Sequence, residues 1–256
     1  MSRIDRRLHA PDKVRRALLA TAAGMTGALI GCGGVPQVRN RSDTEPQAGA
    51  ADLGPGEKPE EGEEGVSPAE DLMREHGVLN RILLLYEEGI RRIETSPREL
   101  PPSVVSSAAD IVRRFVEDYH EMLEETHLFP RFEKAGLLTD LVATLRTQHQ
   151  SGRRLTDEIR RLATDKALAQ PAGQQALVRV LRQFICMYRP HEAREDTVLF
   201  PALRRIVSAH EYGSLGEQFE RQEHQLFGED GFGLIVQQVA DLERQLGIYD
   251  LTQFTA

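Results

Sequence analysis

The chain has 256 residues, 40 acidic and 32 basic side chains, a formal net charge of −8 at pH 7 and no tryptophan. Its arginines are spread along the chain opposite acidic residues, which argues against nucleic acid as a partner. The only cysteines are Cys32 and Cys186, so a zinc site built from cysteine ligands is excluded, as is covalently attached haem, which needs Cys-x-x-Cys-His.

The first 32 residues resemble a bacterial export signal. Arg15 and Arg16 precede an apolar stretch over residues 17–30, which is too short to span a bilayer but typical of a signal-peptide core. The stretch ends in Leu-Ile-Gly followed by Cys32, which resembles a lipobox, and the two arginines resemble a twin-arginine signal. We therefore expect residues 1–32 to be a signal peptide and the protein to be exported by the twin-arginine route. Lipidated Cys32 would then anchor it to a membrane of the cell envelope.

Residues 33–67 are rich in glycine, proline and glutamate, as in the run Glu-Glu-Gly-Glu-Glu at 60–64. Few apolar side chains are available there to offset the entropy lost on ordering. The composition predicts a flexible acidic tether, followed by a helical domain over residues 68–256.

Caps and breakers predict five helices after the tether. Ser67 followed by Pro68 is typical of an N-cap with proline at the first helical position, and this helix is predicted to end at about residue 94. Further helices are predicted over about 101–136, 137–166, 173–207 and 231–246. No strand-like alternation occurs. We therefore expect an all-α fold, namely an antiparallel four-helix bundle with an additional C-terminal helix.

One short block occurs twice. His120 is followed four residues later by Glu124 and then by Leu-Phe-Pro, and 71 residues further on His191 is followed in the same register by Glu195 and Leu-Phe-Pro. On a helix, residues at i and i+4 share one face. A single such pair is usually only a solvated hydrogen bond. A duplicated structural helix, however, gives no reason to keep a polar pair among core-directed apolar residues. Imidazole and carboxylate are ligands typical of non-haem iron.

Two further histidines complete this pattern. His76 and His149 each lie on the apolar side of a predicted helix, 44 and 42 residues before a block. The chain therefore reads as two helical hairpins, each giving one histidine from its first helix and a histidine plus a glutamate from its second. A ferritin-like site is disfavoured, because it needs Glu-x-x-His on two helices and both copies here fall on one.

These residues resemble the hemerythrin, or HHE cation-binding, family over roughly residues 68–250. The resemblance implies a four-helix bundle around a non-haem di-iron centre with two bridging glutamates. The metal ligands that it implies are His76, His120, Glu124, His149, His191 and Glu195.

The sequence departs from the oxygen-carrying members of that family. They have a fifth histidine four residues after the position of His149, where this chain has Arg153, and this puts reversible oxygen carriage in doubt. They also have an aspartate on the fourth helix, and Asp196 fits that spacing and competes with Glu195. His224, in the C-terminal extension, is a candidate for a fifth histidine.

The resemblance implies two iron ions as cofactors, although manganese or zinc would also suit these ligands, and oxygen, nitric oxide or peroxide as the small-molecule ligand. The first hypothesis is a protein that binds or senses such a ligand at the cell envelope. The second is a di-iron enzyme that reduces peroxide or nitric oxide in stress defence, or releases iron for repair of an iron centre. The third is a metal-free helical adaptor. The sequence identifies no redox partner.

Overall fold

The computed structural model describes residues 66–255. The predicted signal peptide with Cys32, and residues 33–65 of the predicted tether, lie outside this range. Within it, every regular element is helical. Between residues 66 and 255, none of the helices combines the length and the apolar character needed to cross a membrane.

Four long helices form the body of the described chain. α1 is Pro68–Thr95 and α3 is Thr139–Leu162, whereas α2 and α4 are continuous helices made of consecutive α- and π-helical segments. The segments of α2 are Pro102–Ile111, Val112–His120, Glu121–Leu123, Glu124–Leu128 and Phe129–Ala135. Those of α4 are Pro171–Arg194, Glu195–Leu199 and Phe200–Leu203. A short 3-10 helix, Pro97–Glu99, precedes α2, and a one-turn α-helix, Asp165–Leu168, precedes α4.

The start of α1 is fixed by its sequence, as predicted. The Ser67 hydroxyl accepts a hydrogen bond from the amide of Glu70, and the Glu70 carboxylate accepts one from the amide of Ser67. This capping box satisfies two amides that the first turn would otherwise leave without partners. Pro68 follows at the first helical position, where its missing amide hydrogen is not needed.

Neighbouring helices of the bundle run in opposite directions. Pairs between α1 and α4, taken along α1, are His76–Asp196, Asn80–Glu192, Glu87–Arg189 and Glu94–Arg182. Pairs between α2 and α3, taken along α2, are Arg113–Asp157, Glu121–Arg153 and Glu125–His149. In both sets one number rises as the other falls. The predicted antiparallel four-helix bundle is therefore confirmed.

Each Leu-Phe-Pro sequence ends a π-helical segment. In α2 the amide of Phe129 donates to the carbonyl of Glu124, five residues back, and a proline follows. In α4 the amide of Phe200 donates to the carbonyl of Glu195 in the same way, again just before a proline. Because proline has no amide hydrogen, the usual bond to residue i−4 cannot form there, and a wider turn takes its place. The repeated motif therefore widens both helices directly at the two glutamates.

Two more α-helices follow the bundle, α5 over Ala209–Phe227 and α6 over Gly231–Gln245, and a short 3-10 helix, Leu251–Phe254, comes after them. The sequence predicted only one additional C-terminal helix, corresponding to α6, so this part of the prediction was incomplete. α5 was missed because its apolar stripe is narrow: its buried residues are Tyr212, Leu215 and Phe219 in an otherwise polar sequence. Both helices pack on α1, and α6 also packs on α2.

α3 and α4 approach each other closely at Gly152. A Cβ atom at this position would lie 2.0 Å from the hydroxyl oxygen of Tyr188, so only glycine leaves room for that side chain. Tyr188 is buried and donates a hydrogen bond of 2.8 Å to Glu121 on α2. The glycine therefore sets a contact that joins three helices.

The interior of the bundle is not uniformly apolar. Twelve polar or charged side chains of the described range are buried, and ten of them are glutamates or histidines of the four bundle helices, namely Glu75, His76, Glu117, His120, Glu121, Glu124, His149, His191, Glu192 and Glu195. Buried ionisable groups are costly unless they are paired or coordinate a metal. Their arrangement therefore bears on function.

Candidate metal centre

The structure brings all six predicted ligand residues together inside the bundle. Ligand atoms of His76, His120 and Glu124 lie within 4.8 Å of one another. A second group of the same tightness is formed by Glu124, His149, His191 and Glu195. Each of these side chains is at most 4% exposed. Glu124 belongs to both groups, so the two groups form one continuous site.

Each of the two glutamates lies between two histidines. Glu195 is 3.1 Å from Nε2 of His191, which is on its own helix, and 3.4 Å from Nε2 of His76 on α1. Glu124 is 3.9 Å from Nε2 of His120, on its own helix, and 3.3 Å from Nε2 of His149 on α3. Both carboxylates therefore connect the two hairpins, which is the position of a carboxylate shared between two ions.

The inward-facing atoms do not satisfy one another. Both carboxylate oxygens of Glu124, both of Glu195 and Nε2 of His149 are buried without a hydrogen-bond partner among the described residues. Their separations of 3.1–3.9 Å are nonetheless short. Ligands that lie about 2.1 Å from one metal ion are themselves about 3 Å apart. The atoms thus point at common centres rather than at each other, and the residues fit a metal site.

The outer nitrogen of every histidine has an acceptor. Nδ1 of His120 donates to Glu75 at 2.6 Å, and Nδ1 of His76 donates to Asp196 at 2.7 Å. Nδ1 of His149 donates to Glu125 at 2.9 Å, and Nδ1 of His191 donates to Gln148 at 3.0 Å. A proton held on Nδ1 leaves the Nε2 lone pair facing inward and fixes the plane of the ring. These contacts therefore prepare all four rings to bind a metal through Nε2.

The outer acceptors follow the internal repeat. Glu125 and Asp196 each come directly after the glutamate of a His-x-x-x-Glu block, and each accepts from the first-helix histidine of the other hairpin. The structure thus places Glu195 in the inner group and Asp196 on the outside of His76. Glu75 and Gln148 each precede a first-helix histidine and accept from the second-helix histidine of the same hairpin.

The phenylalanines of the repeated Leu-Phe-Pro cover the site. Phe200 stacks on the ring of His76, with centroids 5.4 Å apart, and Phe129 stacks on His149 at the same distance. Both phenylalanines are buried. They hold the first-helix histidines from the apolar side, and they exclude water from that side of the rings.

The pKa values of the ligand residues show that protons would compete with a metal ion for the ligand atoms. Burial raises the pKa of Glu124, and the nearby charge of Glu195 raises it further. Burial lowers the pKa of His149 to about 4. Burial also opposes the charged form of His76, but its hydrogen bond to Asp196 and the nearby carboxylate of Glu195 raise its pKa to about 10. Two adjacent buried carboxylates are unfavourable without a compensating cation, and a metal ion would supply that charge.

Arg153 occupies the position of a carrier's fifth histidine, and it has other partners. Its guanidinium lies 2.9 Å from Glu121 and 2.8 Å from Glu125. Glu121 also accepts the hydrogen bond from Tyr188, and burial raises its pKa to about 8. At the equivalent position of the first hairpin, Asn80 donates to buried Glu192. Neither position supplies a further inward histidine.

His224, the candidate fifth histidine, is not brought into the site. It is exposed on α5, and it belongs to neither group of converging ligand atoms. His127, the other histidine near a block, is half-buried and lies against Gln222 and Phe219 of α5.

The outer acceptors Glu75, Glu125 and Gln148 were not predicted from the sequence. Their signal was present, because all are direct neighbours of predicted ligands.

Comparison with known proteins is consistent with this geometry. A family model described as the hemerythrin HHE cation-binding domain matches residues 67–203 and, in a second overlapping match, residues 140–255. Proteins of Mycobacterium bovis and of two Mycobacterium tuberculosis strains are each 48% identical over 243 residues, which is 94% of this chain and 90% of theirs. All three carry the name "uncharacterized protein". No solved structure matches the chain.

Proposed function

The chain belongs to the hemerythrin HHE cation-binding domain family, and from this premise we propose that it is a non-haem di-iron protein that binds or senses oxygen, nitric oxide or peroxide. The observation that carries the proposal is the set of buried, unpartnered inward atoms on Glu124, Glu195 and His149. Orphaned polar atoms at such depth are costly, and cations shared by the two carboxylates would satisfy them.

The ligand residues divide into two equivalent halves. His76 and His120 would hold one ion and His149 and His191 the other, with Glu124 and Glu195 shared between both. Imidazole together with carboxylate suits iron, and manganese or zinc are the alternatives that metal analysis separates. Iron held by such a ligand set would supply a place for a small molecule to bind.

The surroundings favour ligand binding or sensing over reversible oxygen carriage. Arg153 replaces the fifth histidine of a carrier, and its ion pairs with Glu121 and Glu125 keep it in place. Phe129 and Phe200 exclude water beside the histidines, so a small, weakly polar ligand would contact apolar side chains there. Together these features support a buried site for a diatomic or peroxide ligand.

One observation favours a reductive enzyme as the second candidate. Tyr188 donates to Glu121, Glu121 pairs with Arg153, and the Tyr188 ring lies 5.7 Å from His191. Glu121 and Tyr188 are therefore a buried carboxyl and phenol pair beside the site, next to the partly exposed Arg153. Reduction of peroxide or nitric oxide consumes protons, which such a pair would supply.

We also propose, from the sequence alone, that the protein is exported and anchored to a membrane of the cell envelope through Cys32. Twin-arginine export handles folded cargo, which suits a protein that acquires its metal before transport. The acidic segment at 33–67 would then hold the bundle away from the membrane.

Metal analysis of the purified protein, with optical spectra of its reduced and oxidised forms, tests the proposal. We expect close to two iron ions per chain and a spectrum that changes when nitric oxide or peroxide is added. Turnover of peroxide would select the enzyme. A folded protein without bound metal would favour the helical adaptor and contradict the proposal.

A further inference from the structure

An acidic groove lies beside the site, bordered by α1, α5 and the start of α6. Its volume is about 930 Å³, and its lining carboxylates are Asp71, Glu217, Glu220, Glu223, Glu229 and Asp230. Two arginines also line it, and each lies over an aromatic ring, Arg74 on Phe232 and Arg204 on Tyr212. The surplus of carboxylates gives the groove a negative potential that attracts cations.

Three carboxylates converge at one place in this groove. Oxygens of Asp71, Glu75 and Glu223 lie within 4.8 Å of one another. Asp71 and Glu223 line the groove, whereas Glu75 is buried behind it and only 2% exposed. Burial raises the pKa of Asp71 to about 7, and the charges of Glu75 and Glu223 contribute. Three carboxylates this close repel one another unless a cation lies among them.

Two buried polar atoms at this place lack a well-formed hydrogen bond. Oε1 of Glu75 and the hydroxyl oxygen of Tyr119 make no hydrogen bond of acceptable geometry with any described residue. Burial raises the pKa of Tyr119, which is 1% exposed, and the charges of Glu75, Asp71 and Glu223 and the close approach of its hydroxyl to Glu75 raise it further. A hydroxyl and a carboxylate oxygen, neither of them satisfied, are therefore buried beside the same carboxylates.

The internal repeat shows that the charge of Glu75 is not needed for its contact with His120. Gln148, the equivalent residue of the second hairpin, accepts from His191 with a neutral amide oxygen. In the acidic group beside His149, both Glu121 and Glu125 form ion pairs with the guanidinium of Arg153. In the group of Asp71, Glu75 and Glu223 the nearest such pairing is Arg74 with Asp71, at 3.6 Å. Oε1 of Glu75 is thus left without a partner in this group.

We propose that Asp71, Glu75 and Glu223 form a further cation site, which takes a hard divalent ion such as Mn²⁺, Fe²⁺, Mg²⁺ or Ca²⁺. Carboxylate and hydroxyl oxygens are the ligands that such ions prefer. Glu75 joins this site to the histidine centre, because its Oε2 accepts from Nδ1 of His120 at 2.6 Å while Oε1 is buried without a hydrogen-bond partner. That link, and a role of the groove in admitting iron, rest on the proposed di-iron function.

Titration of the purified full chain with Mn²⁺, followed by electron paramagnetic resonance of the free ion, tests this site. The variant combines Asp71→Asn with Glu223→Gln, which removes two charges and leaves Glu75 intact. Gln at 223 keeps an oxygen for the amide of Phe232, which Glu223 now binds at 2.6 Å. The matched control, Glu217→Gln with Glu229→Gln, removes two charges from the same groove outside the cluster.

We expect one Mn²⁺ beyond the resident metal, bound roughly tenfold or more weaker in the Asp71→Asn, Glu223→Gln protein and unchanged in the control. Equal affinity in all three proteins would overturn the site, as would an equal loss in variant and control, which would indicate only diffuse attraction. Circular dichroism confirms that each variant is folded.

The resident metal is measured before each titration, which separates the two proposals. A protein without resident iron contradicts the di-iron function, and its Mn²⁺ titration still reports on the groove. A protein with two irons and no variant-sensitive Mn²⁺ contradicts the groove site alone. If both hold, Mn²⁺ should also shift the optical spectrum of the iron centre through Glu75 and His120.

Discussion

Nδ1 of His76 lies 2.7 Å from Oδ1 of Asp196, on the side of the ring that faces away from the centre of the site. Nε2 of the same ring lies 3.4 Å from Glu195. Of the two neighbouring acidic residues, one therefore faces the inner atoms and the other orients a ring. The difference has direct consequences for substitution.

We predict that Glu195→Ala removes most of the bound metal, whereas Asp196→Ala weakens metal binding by about 10- to 100-fold, as loss of an outer hydrogen-bond partner does. Asp196→Asn should bind metal nearly as well as the parent, because the neutral amide oxygen of Gln148 accepts the corresponding hydrogen bond from His191. Metal content after dialysis against a graded chelator measures this. If Asp196→Ala lost more metal than Glu195→Ala, Asp196 would be the ligand.

We predict that Glu124→Ala cuts iron from about two ions per chain to well below one, because both groups of ligand atoms share this carboxylate. His127→Ala is the control. That side chain is half-buried against α5 and outside both groups, so its loss should leave the metal content nearly unchanged. Elemental analysis of the two purified variants is the measurement. Equal metal contents in Glu124→Ala and His127→Ala would indicate that the repeated block has only a structural role.

The sequence predicted the bundle and the convergence of six side chains because both follow from helical periodicity and from a repeat. A residue at i+4 on a helix has a known direction, and two equal hairpins have few ways to pack. The outer acceptors were harder to assign, since Asp196 fits a ligand spacing as well as Glu195 does. In the structure Glu195 lies among the inner ligand atoms, whereas Asp196 accepts from the outer nitrogen of His76. Helix α5 was missed because three buried residues give too weak a periodic signal.

Gly152→Ala should destabilise the fold by about 1 to 3 kcal/mol, since the added Cβ would lie 2.0 Å from the Tyr188 hydroxyl oxygen and must displace it. The penalty should shrink in a Tyr188→Phe background, which removes the closest atom. Gly213→Ala is the matched control, because nothing lies within 4 Å of a Cβ at that exposed position of α5. It should be neutral or stabilising by up to about 1 kcal/mol. Chemical denaturation of the parent, the two glycine variants, Tyr188→Phe and its combination with Gly152→Ala measures these differences.

Cys32→Ser should release the protein from the membrane fraction of a bacterial host. A single acyl chain binds a membrane only marginally, so stable anchoring depends on the several chains that a lipoprotein cysteine carries. Fractionation with detection of the bundle is the measurement, and Ser42→Ala is the control because it leaves Cys32 and the residues before it unchanged. Unchanged membrane retention of Cys32→Ser would instead indicate an uncleaved signal segment.

The pKa of Asp71 predicts a pH dependence of stability in metal-free buffer. Burial raises this pKa from 3.8 to about 7, with Glu75 of α1 and Glu223 and Glu220 of α5 acting in the same direction and Arg74 opposing them. The folded protein therefore binds more protons here than the unfolded chain between these two pH values. Its free energy of unfolding should fall as the pH rises from about 4 to about 7 through this group.

Asp71→Asn should remove this contribution, so the variant should gain stability relative to the parent as the pH rises through that range. Saturating Mn²⁺ should reverse the trend for the parent alone, because a cation binds the ionised carboxylates and releases their protons. Denaturation curves at pH 4.5, 6 and 7.5, with and without Mn²⁺, measure both effects. Parallel curves for parent and variant at every pH would show that Asp71 titrates alike in the folded and unfolded chain.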